Sequence, residues 1–201
     1  MALLIAGASG VSAAVRTWQG GAASTGDWFD VSCWDGGSSY PSAGDAVTIP
    51  AGFVLLTNAT TELAAFTIAD ATMIFTNWTT VLQATTVTVQ NGGLFTLPPA
   101  FTTNQMSNRV WIACDSLTID SAGSINVDGK GYYNGNGPGK QGGSYAGAGY
   151  GGRGGDDNAN GTGGSYYGST NAPIDPGSGG SHASGGGAVR IVKSRGSTKS
   201  T

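Results

Sequence analysis

Four short runs along the chain share one pattern, an apolar residue, a threonine and a second apolar residue: Val47-Thr48-Ile49, Phe66-Thr67-Ile68, Val87-Thr88-Val89 and Leu117-Thr118-Ile119. Alternation with a period of two sends the apolar side chains to one face of a strand and the threonine to the other. Eight residues after the start of each triplet stands another large apolar residue, Leu55, Ile74, Phe95 and Ile125. Turn-forming residues lie between: Pro50-Ala51-Gly52, Ala69-Asp70-Ala71, Gln90-Asn91-Gly92-Gly93 and Asp120-Ser121-Ala122-Gly123. Each unit is therefore predicted to be strand, tight corner, strand.

The triplets begin 19, 21 and 30 residues apart, and no apolar stripe of helical period and length falls between them. That leaves no room for a crossover helix, so successive units are expected to stack directly on one another. The fold that satisfies this spacing is all-β, a short right-handed parallel β-helix in which each coil pairs its backbone with the one before. A β-sandwich of short antiparallel strands is the alternative that the same alternation allows. A fifth triplet, Val189-Arg190-Ile191, begins 72 residues after Leu117. As the next coil, it implies an insertion of about 50 residues in one corner, which solenoids accept as a loop on one face.

Composition supports this reading. The 201 residues include 36 Gly, 22 Thr and 20 Ser against 21 charged side chains, a balance that disfavours a helical bundle. Residues 129–187 hold 23 of the glycines and six of the seven tyrosines, with almost no aliphatic material. This segment must pack on the coils, form its own glycine-dominated lobe, or stay mobile. Tyrosine, serine, glycine and asparagine together make an adaptable recognition surface, so Tyr132, Tyr133, Tyr145, Tyr150, Tyr166 and Tyr167 are the candidate ligand-binding residues. A structural glycine sheath or linker is the competing explanation.

The predicted organisation is a signal remnant at 1–14, an aromatic N-terminal cap at 15–45, coils at 46–128, the Gly/Tyr-rich insertion at 129–187, and a last strand with a polar tail at 188–201. Met1 to Ala14 is an apolar run followed by small residues that suit cleavage before Val15, although it lacks a basic start; a clipped gene start or a buried segment are the other readings. Trp18, Trp28, Phe29, Trp34 and Tyr40 precede the first coil, where an aromatic plug covers an open end; a platform for sugar rings is the alternative. At the other end no apolar cap is evident, so the chain is either a fragment of a longer protein or self-associates through an open coil.

Charge and chemistry narrow the function. Residues 1–128 carry nine acids and two bases, and 129–201 carry seven bases and three acids. An acidic body and a sparse basic tail (Arg190, Lys193, Arg195, Lys199) disfavour nucleic acid as a partner. No segment is long and apolar enough to suggest a membrane span. One histidine, His182, and two cysteines provide no zinc set, and no cofactor is expected. Cys33 and Cys114 are either one disulfide or unpaired; Cys114 takes a position held in other units by Leu63 and Ala84, which suggests a small core residue. Two G-x-G-x-x-G matches, at 137–142 and 147–152, neither follow a strand nor open a helix, so they do not indicate a dinucleotide site. Gly151 to Asp156 matches part of a calcium-binding nonapeptide in a single copy, and Asp156, Asp157 and Asn158 read as a solvated acidic loop. Asn58, Asn77 and Asn160 head Asn-x-Thr sequences of a number that chance explains. Asp70 and Asp120 follow equivalent strands, so they and Asp115 are the acids that a carbohydrate-active enzyme would use; local turn chemistry explains Asp70 and Asp120 equally well.

The stretch Trp18-Gln19-Gly20-Gly21, Gly26-Asp27-Trp28-Phe29-Asp30, Trp34 and Tyr40 to Pro50 resembles the opening of exported bacterial repeat proteins and adhesin-like surface proteins. Leu117 to Gly131, Pro176 to Gly180 and Gly185 to Ile191 look like the glycine-rich coils of large secreted surface proteins, and the Gly-Ala-Val-Arg-Ile ending is similar to the tails of some marine phage fibre proteins. The resemblance implies a secreted or cell-surface β-helix and identifies no catalytic residue. The function expected is a non-enzymatic extracellular module for adhesion or surface-layer structure, its lobe contacting a glycan or cell-surface receptor. A carbohydrate-active lyase or hydrolase and a phage fibre receptor-binding protein are the alternatives.

Overall fold

The computed structural model describes residues 13–20, 25–102, 106–159 and 161–194. Most of the signal-like run, the tail beyond Ser194 and Asn160 lie outside the described residues. The described part is all-β, with thirteen strands: β1 (Val15–Thr17), β2 (Thr25–Asp27), β3 (Ala46–Ile49), β4 (Gly52–Leu56), β5 (Leu63–Ala69), β6 (Ala71–Phe75), β7 (Leu82–Gln90), β8 (Leu94–Thr96), β9 (Arg109–Ile119), β10 (Ser124–Ile125), β11 (Gly142–Gly143), β12 (Gly161–Thr162) and β13 (Ala188–Lys193). Up to β10, odd-numbered strands enter one sheet and even-numbered strands the other. The first sheet runs β1-β3-β5-β7-β9-β13 and the second β2-β4-β6-β8-β10, every pair parallel. Only the two-residue pair β11 and β12 is antiparallel. The antiparallel sandwich is thereby corrected: the connections within this body are corners rather than hairpins.

The four triplets stack as their pattern predicts. Val47 pairs with Phe66, Phe66 with Val87, and Val87 with Leu117; Ile49, Ile68, Val89 and Ile119 form the parallel row beside them. Apolar members point inward and threonines outward along the first three rungs, where the inward residues are at most 2% exposed. At the fourth rung burial fades: Leu117 is half-buried and Ile119 is 41% exposed, because the next strand covers a different part of β9.

The second-sheet residues need correction. Leu55 and Ile74 pair with each other but are only partly buried; the inward row is Val54, Met73, Phe95 and Ile125. Five residues separate Ile49 from Val54 and Ile68 from Met73, whereas six separate Val89 from Phe95 and Ile119 from Ile125. The later corners carry one extra residue, and a one-residue change exchanges the faces of a strand. Gly93 and Gly123 make those wider corners fit: a Cβ on Gly93 would lie 2.6 Å from the Ile68 carbonyl oxygen, and one on Gly123 2.3 Å from that of Val89.

The N-terminal aromatic segment extends both sheets through β1 and β2 and also fills the end of the core. Trp18, Trp28 and Trp34 are buried, Trp34 sits edge-on to both of the others, and its Nε1 donates to the Trp28 carbonyl at 2.7 Å. Trp28 then meets Phe66, which meets Phe95, so one aromatic column joins the cap to the body. Burying rings of this size is the largest stabilising contribution available to a core this narrow. Asp45 anchors the segment from below, accepting from the Ser42 and Ala14 amides at 2.8 Å each. Cys114 lies within β9, in register with Ala84 and through it with Leu63; it is buried and unpaired, as is the half-buried Cys33.

One further expectation resolves differently: Val189 pairs with Val110 rather than Leu117, so β13 is displaced seven residues toward the start of β9. The insertion before it, the lobe, meets the body where Tyr132 packs on Phe101. In that lobe backbone packs on backbone: Gly149 N donates to Gly139 O at 2.8 Å, Gly164 N to Gly147 O at 2.9 Å, and Gly154 N to Gly164 O at 2.9 Å. A Cβ at Gly164 would fall 1.9 Å from the Gly139 oxygen, so side chains are excluded by contact.

Candidate functional site

Two surfaces qualify, one predicted and one not. The predicted surface is the tyrosine set of the lobe, which the structure divides in half. Tyr132 is fully buried against Phe101, with ring centroids 4.6 Å apart, and Tyr150 and Tyr167 pack edge to face at 5.0 Å. The Tyr167 hydroxyl donates to the Pro176 carbonyl, and the Tyr150 hydroxyl accepts from the Asp175 amide at 3.3 Å. Burial pushes the hydroxyl pKa of Tyr132 and Tyr167 above the ordinary tyrosine value. These three therefore hold the lobe together. Tyr133, Tyr145 and Tyr166 are the outward half, 51%, 68% and 75% exposed. Tyr145 stacks on His182 at 5.1 Å, and the His182 Nδ1 lies 2.9 Å from the Ser181 hydroxyl. Among the described residues no ring contact joins the three exposed tyrosines to one another.

The surface that sequence reading missed lies on the outer face of the six-stranded sheet, near β13. Gln83, Ala113 and Val192 form one row across β7, β9 and β13, and Glu62 precedes β5 at the same level. Ala113 is the small member of that row, and a hollow of about 550 Å³ opens there, walled by Trp111, Arg190, Lys193 and Ser194 as well. Gln83 is fixed by Thr60, whose hydroxyl accepts from the Gln83 amide at 2.9 Å and whose carbonyl accepts from its side chain. Ser194 donates to Glu62 at 3.1 Å.

Beside the hollow, Arg109 is clasped between Trp78 and Trp111, 4.5 and 4.3 Å from the ring centroids, and Arg190 lies over Trp111 at 4.6 Å. Arg109 is only 7% exposed; its Nε and the Trp111 Nε1 are buried without a hydrogen-bond partner. Burial first, and then the charge of Arg190, lower its guanidinium pKa from the usual value. Among the described residues no carboxylate forms an ion pair with Arg109, Arg190 or Lys193. Indole faces hold the two guanidinium groups by cation–π attraction, so like charges gather with Glu62 across the hollow but no carboxylate in ion-pair contact. The legible part was the alternation Arg109-Val110-Trp111, which places arginine and tryptophan on one face; Arg190 joins them only through a register that its triplet pattern misassigns.

The acids weighed for catalysis are not gathered at this hollow. Asp70 occupies the corner after β5 with a positive φ of 46°, and Asp115 is exposed on β9. Asp120 accepts from the Ala122, Gly123 and Asn91 amides, hydrogen bonds that hold its carboxyl pKa below the usual range. Asp156 is tied to Arg153 and accepts from the Gly163 amide at 2.6 Å, so its carboxylate is committed within the lobe.

Residues 33–131 match the family model of the G8 domain, an extracellular-type domain, over a stretch that contains β3 to β10. The lobe from residue 132 onward and β13 lie beyond the match. No curated protein and no solved structure matches the chain. Among the described residues, no helix is long and apolar enough to cross a membrane.

Proposed function

We propose that this chain is a non-enzymatic extracellular module, a short right-handed parallel β-helix whose Gly/Tyr-rich lobe makes contacts for adhesion or for building a surface layer. The winding is supported by strands that enter two parallel sheets in strict alternation, with tight corners of one to four residues leading from the first sheet to the second between β3 and β10 and longer returns leading back. Right-handed crossovers are the rule between parallel strands of one sheet. The extracellular setting is supported by the G8 match.

The observation that carries the contact role is the division of labour in the lobe. Three tyrosines are spent on packing, while Tyr133, Tyr145 and Tyr166 stand outward from a backbone held by interlocked glycines. A tyrosine offers a large amphipathic face at low entropic cost, and a preorganised mount lowers that cost further. Glycan rings and receptor surfaces are the partners such faces suit. A glycan array tests this reading with the full chain and the variant Tyr133→Ala/Tyr145→Ala/Tyr166→Ala. Loss of binding by about tenfold or more, with near-ultraviolet circular dichroism of the tryptophan cap preserved, is the expected result. Undiminished binding would refute the lobe's role.

A further inference from the structure

Among the described residues the six-stranded sheet ends on β13, which pairs with β9 on one side only. Among the described residues no backbone bond covers its other side, so alternate N–H and C=O groups of Ala188 to Lys193 face outward. The two faces of this edge differ. Val189, Ile191 and Lys193 lie on the same face as buried Val110, Ile112 and Cys114, with Val189 and Ile191 36% and 50% exposed; Arg190 and Val192 lie on the opposite face with Trp111 and Ala113, at the hollow. Natural sheets blunt their edges with charges, and Arg190 and Lys193 are such charges. Their mounting differs from a simple solvated guard. Arg190 lies over Trp111 beside the second clasped guanidinium of Arg109, and among the described residues neither has a carboxylate in ion-pair contact.

We propose that β13 is the docking edge for an extended acidic strand of a partner protein, bound by strand addition. Its backbone would continue the sheet. Its apolar side chains would cover Val189 and Ile191 on one face, and its carboxylates would meet Arg190 on the other, with Lys193 adding charge at the end of the strand. Main-chain bonds supply affinity in this mode, and alternate side chains supply specificity. Charge complementarity selects the occupant. Two copies of β13 paired edge to edge would bring Arg190 and Lys193 of each copy to one junction with no carboxylate in either strand, and the opposite terminal strand, β1, offers Arg16 and no carboxylate. Residues 1–128 carry a charge of about −7, nine acids less two bases, so an acidic strand is repelled by the body generally and attracted at this edge.

Fluorescence anisotropy with the full chain and labelled, end-capped octapeptides tests the proposal. The probes are an alternating Val-Glu peptide, a Val-Lys peptide, and the Val-Glu peptide N-methylated at alternate residues. At about 0.1 M salt the Val-Glu peptide is expected to bind about tenfold or more tighter than the Val-Lys peptide, a gap that narrows as salt is raised. N-methylation should cost about tenfold, because it removes the backbone pairing that charge alone would not need. Arg190→Glu/Lys193→Glu should invert the preference, and Arg190→Gln, a milder change, should abolish it. Equal affinity for the two peptides, indifference to N-methylation, or no binding of the Val-Glu peptide would overturn the proposal. A dimer in light scattering that Ile191→Asp dissolves would also overturn it, by assigning the edge to a second copy. The lobe variant of the glycan test leaves β13 untouched, so the two readings fail separately.

Discussion

The sheet body and the glycine lobe exclude water by opposite means. In the body, inward columns of Val, Ile, Phe and Met fill the space between two parallel sheets, and the backbone lies outside them. In the lobe the packed surface is the backbone itself, with glycines at contacts that have no room for a Cβ. The body is therefore vulnerable to the loss of atoms and the lobe to their addition. A glycine-rich composition does not by itself mean a flexible segment. It can mean that chains approach so closely that only hydrogen fits.

The largest expected effect is in the body. Phe66 is buried in the aromatic column between Trp28 and Phe95, and Phe66→Ala should cost about 3–5 kcal/mol and lower the unfolding midpoint of body and lobe together. The body melting while the lobe kept its amide protection would show that the two are independent. Next, Gly164→Ala should cost about 1–3 kcal/mol through overpacking against Gly139, a loss read as faster hydrogen exchange across residues 131–186. Unchanged exchange there would mean that the lobe yields easily and that its glycines are not selected by contact.

The smallest effect sharpens the comparison at the N-terminal end. Burial raises the Asp45 carboxyl pKa, but the Ser42 and Ala14 amides and Arg16 outweigh it, and the net value lies below the usual one. A depressed folded value means that this stabilisation is present above the unfolded pKa, about 3.9, and is lost as pH falls through the folded value. Asp45→Asn should cost about 1 kcal/mol at neutral pH and flatten the acid limb of the stability curve. Denaturant titrations at pH 7 and in the acid range check both. An unaltered acid limb would place the pH sensitivity elsewhere.

What could be read in advance follows the same division. The rungs Val47, Phe66, Val87 and Leu117 were legible because a two-residue period leaves a local mark, and each rung repeats it. The slip that turns Val54 and Met73 inward instead of Leu55 and Ile74 was not, since it depends on one residue of corner length. The seven-residue displacement of β13 escaped for a related reason: Val189-Arg190-Ile191 carries the triplet's apolar pattern without its threonine, and nothing local states which part of β9 it meets. The clasped arginines needed three segments distant in sequence to converge: β9, the connection that carries Trp78, and β13. In the lobe, composition pointed to tyrosines as a group but could not separate Tyr132, Tyr150 and Tyr167, which pack inward, from the three that face solvent.

The lobe leaves and rejoins the body through a narrow gate. Gly131 donates to Gly185 at 2.7 Å and Gly187 to Val127 at 2.8 Å, so the first and last residues of the excursion are hydrogen-bonded neighbours. With its two ends already side by side, the segment's length is nearly free to vary, since loop closure costs little more for a long excursion than for a short one. The gate is a socket: its two ends stay paired whatever length of chain lies between them, and Tyr132 seated on Phe101 is the plug that ties that length to the stem.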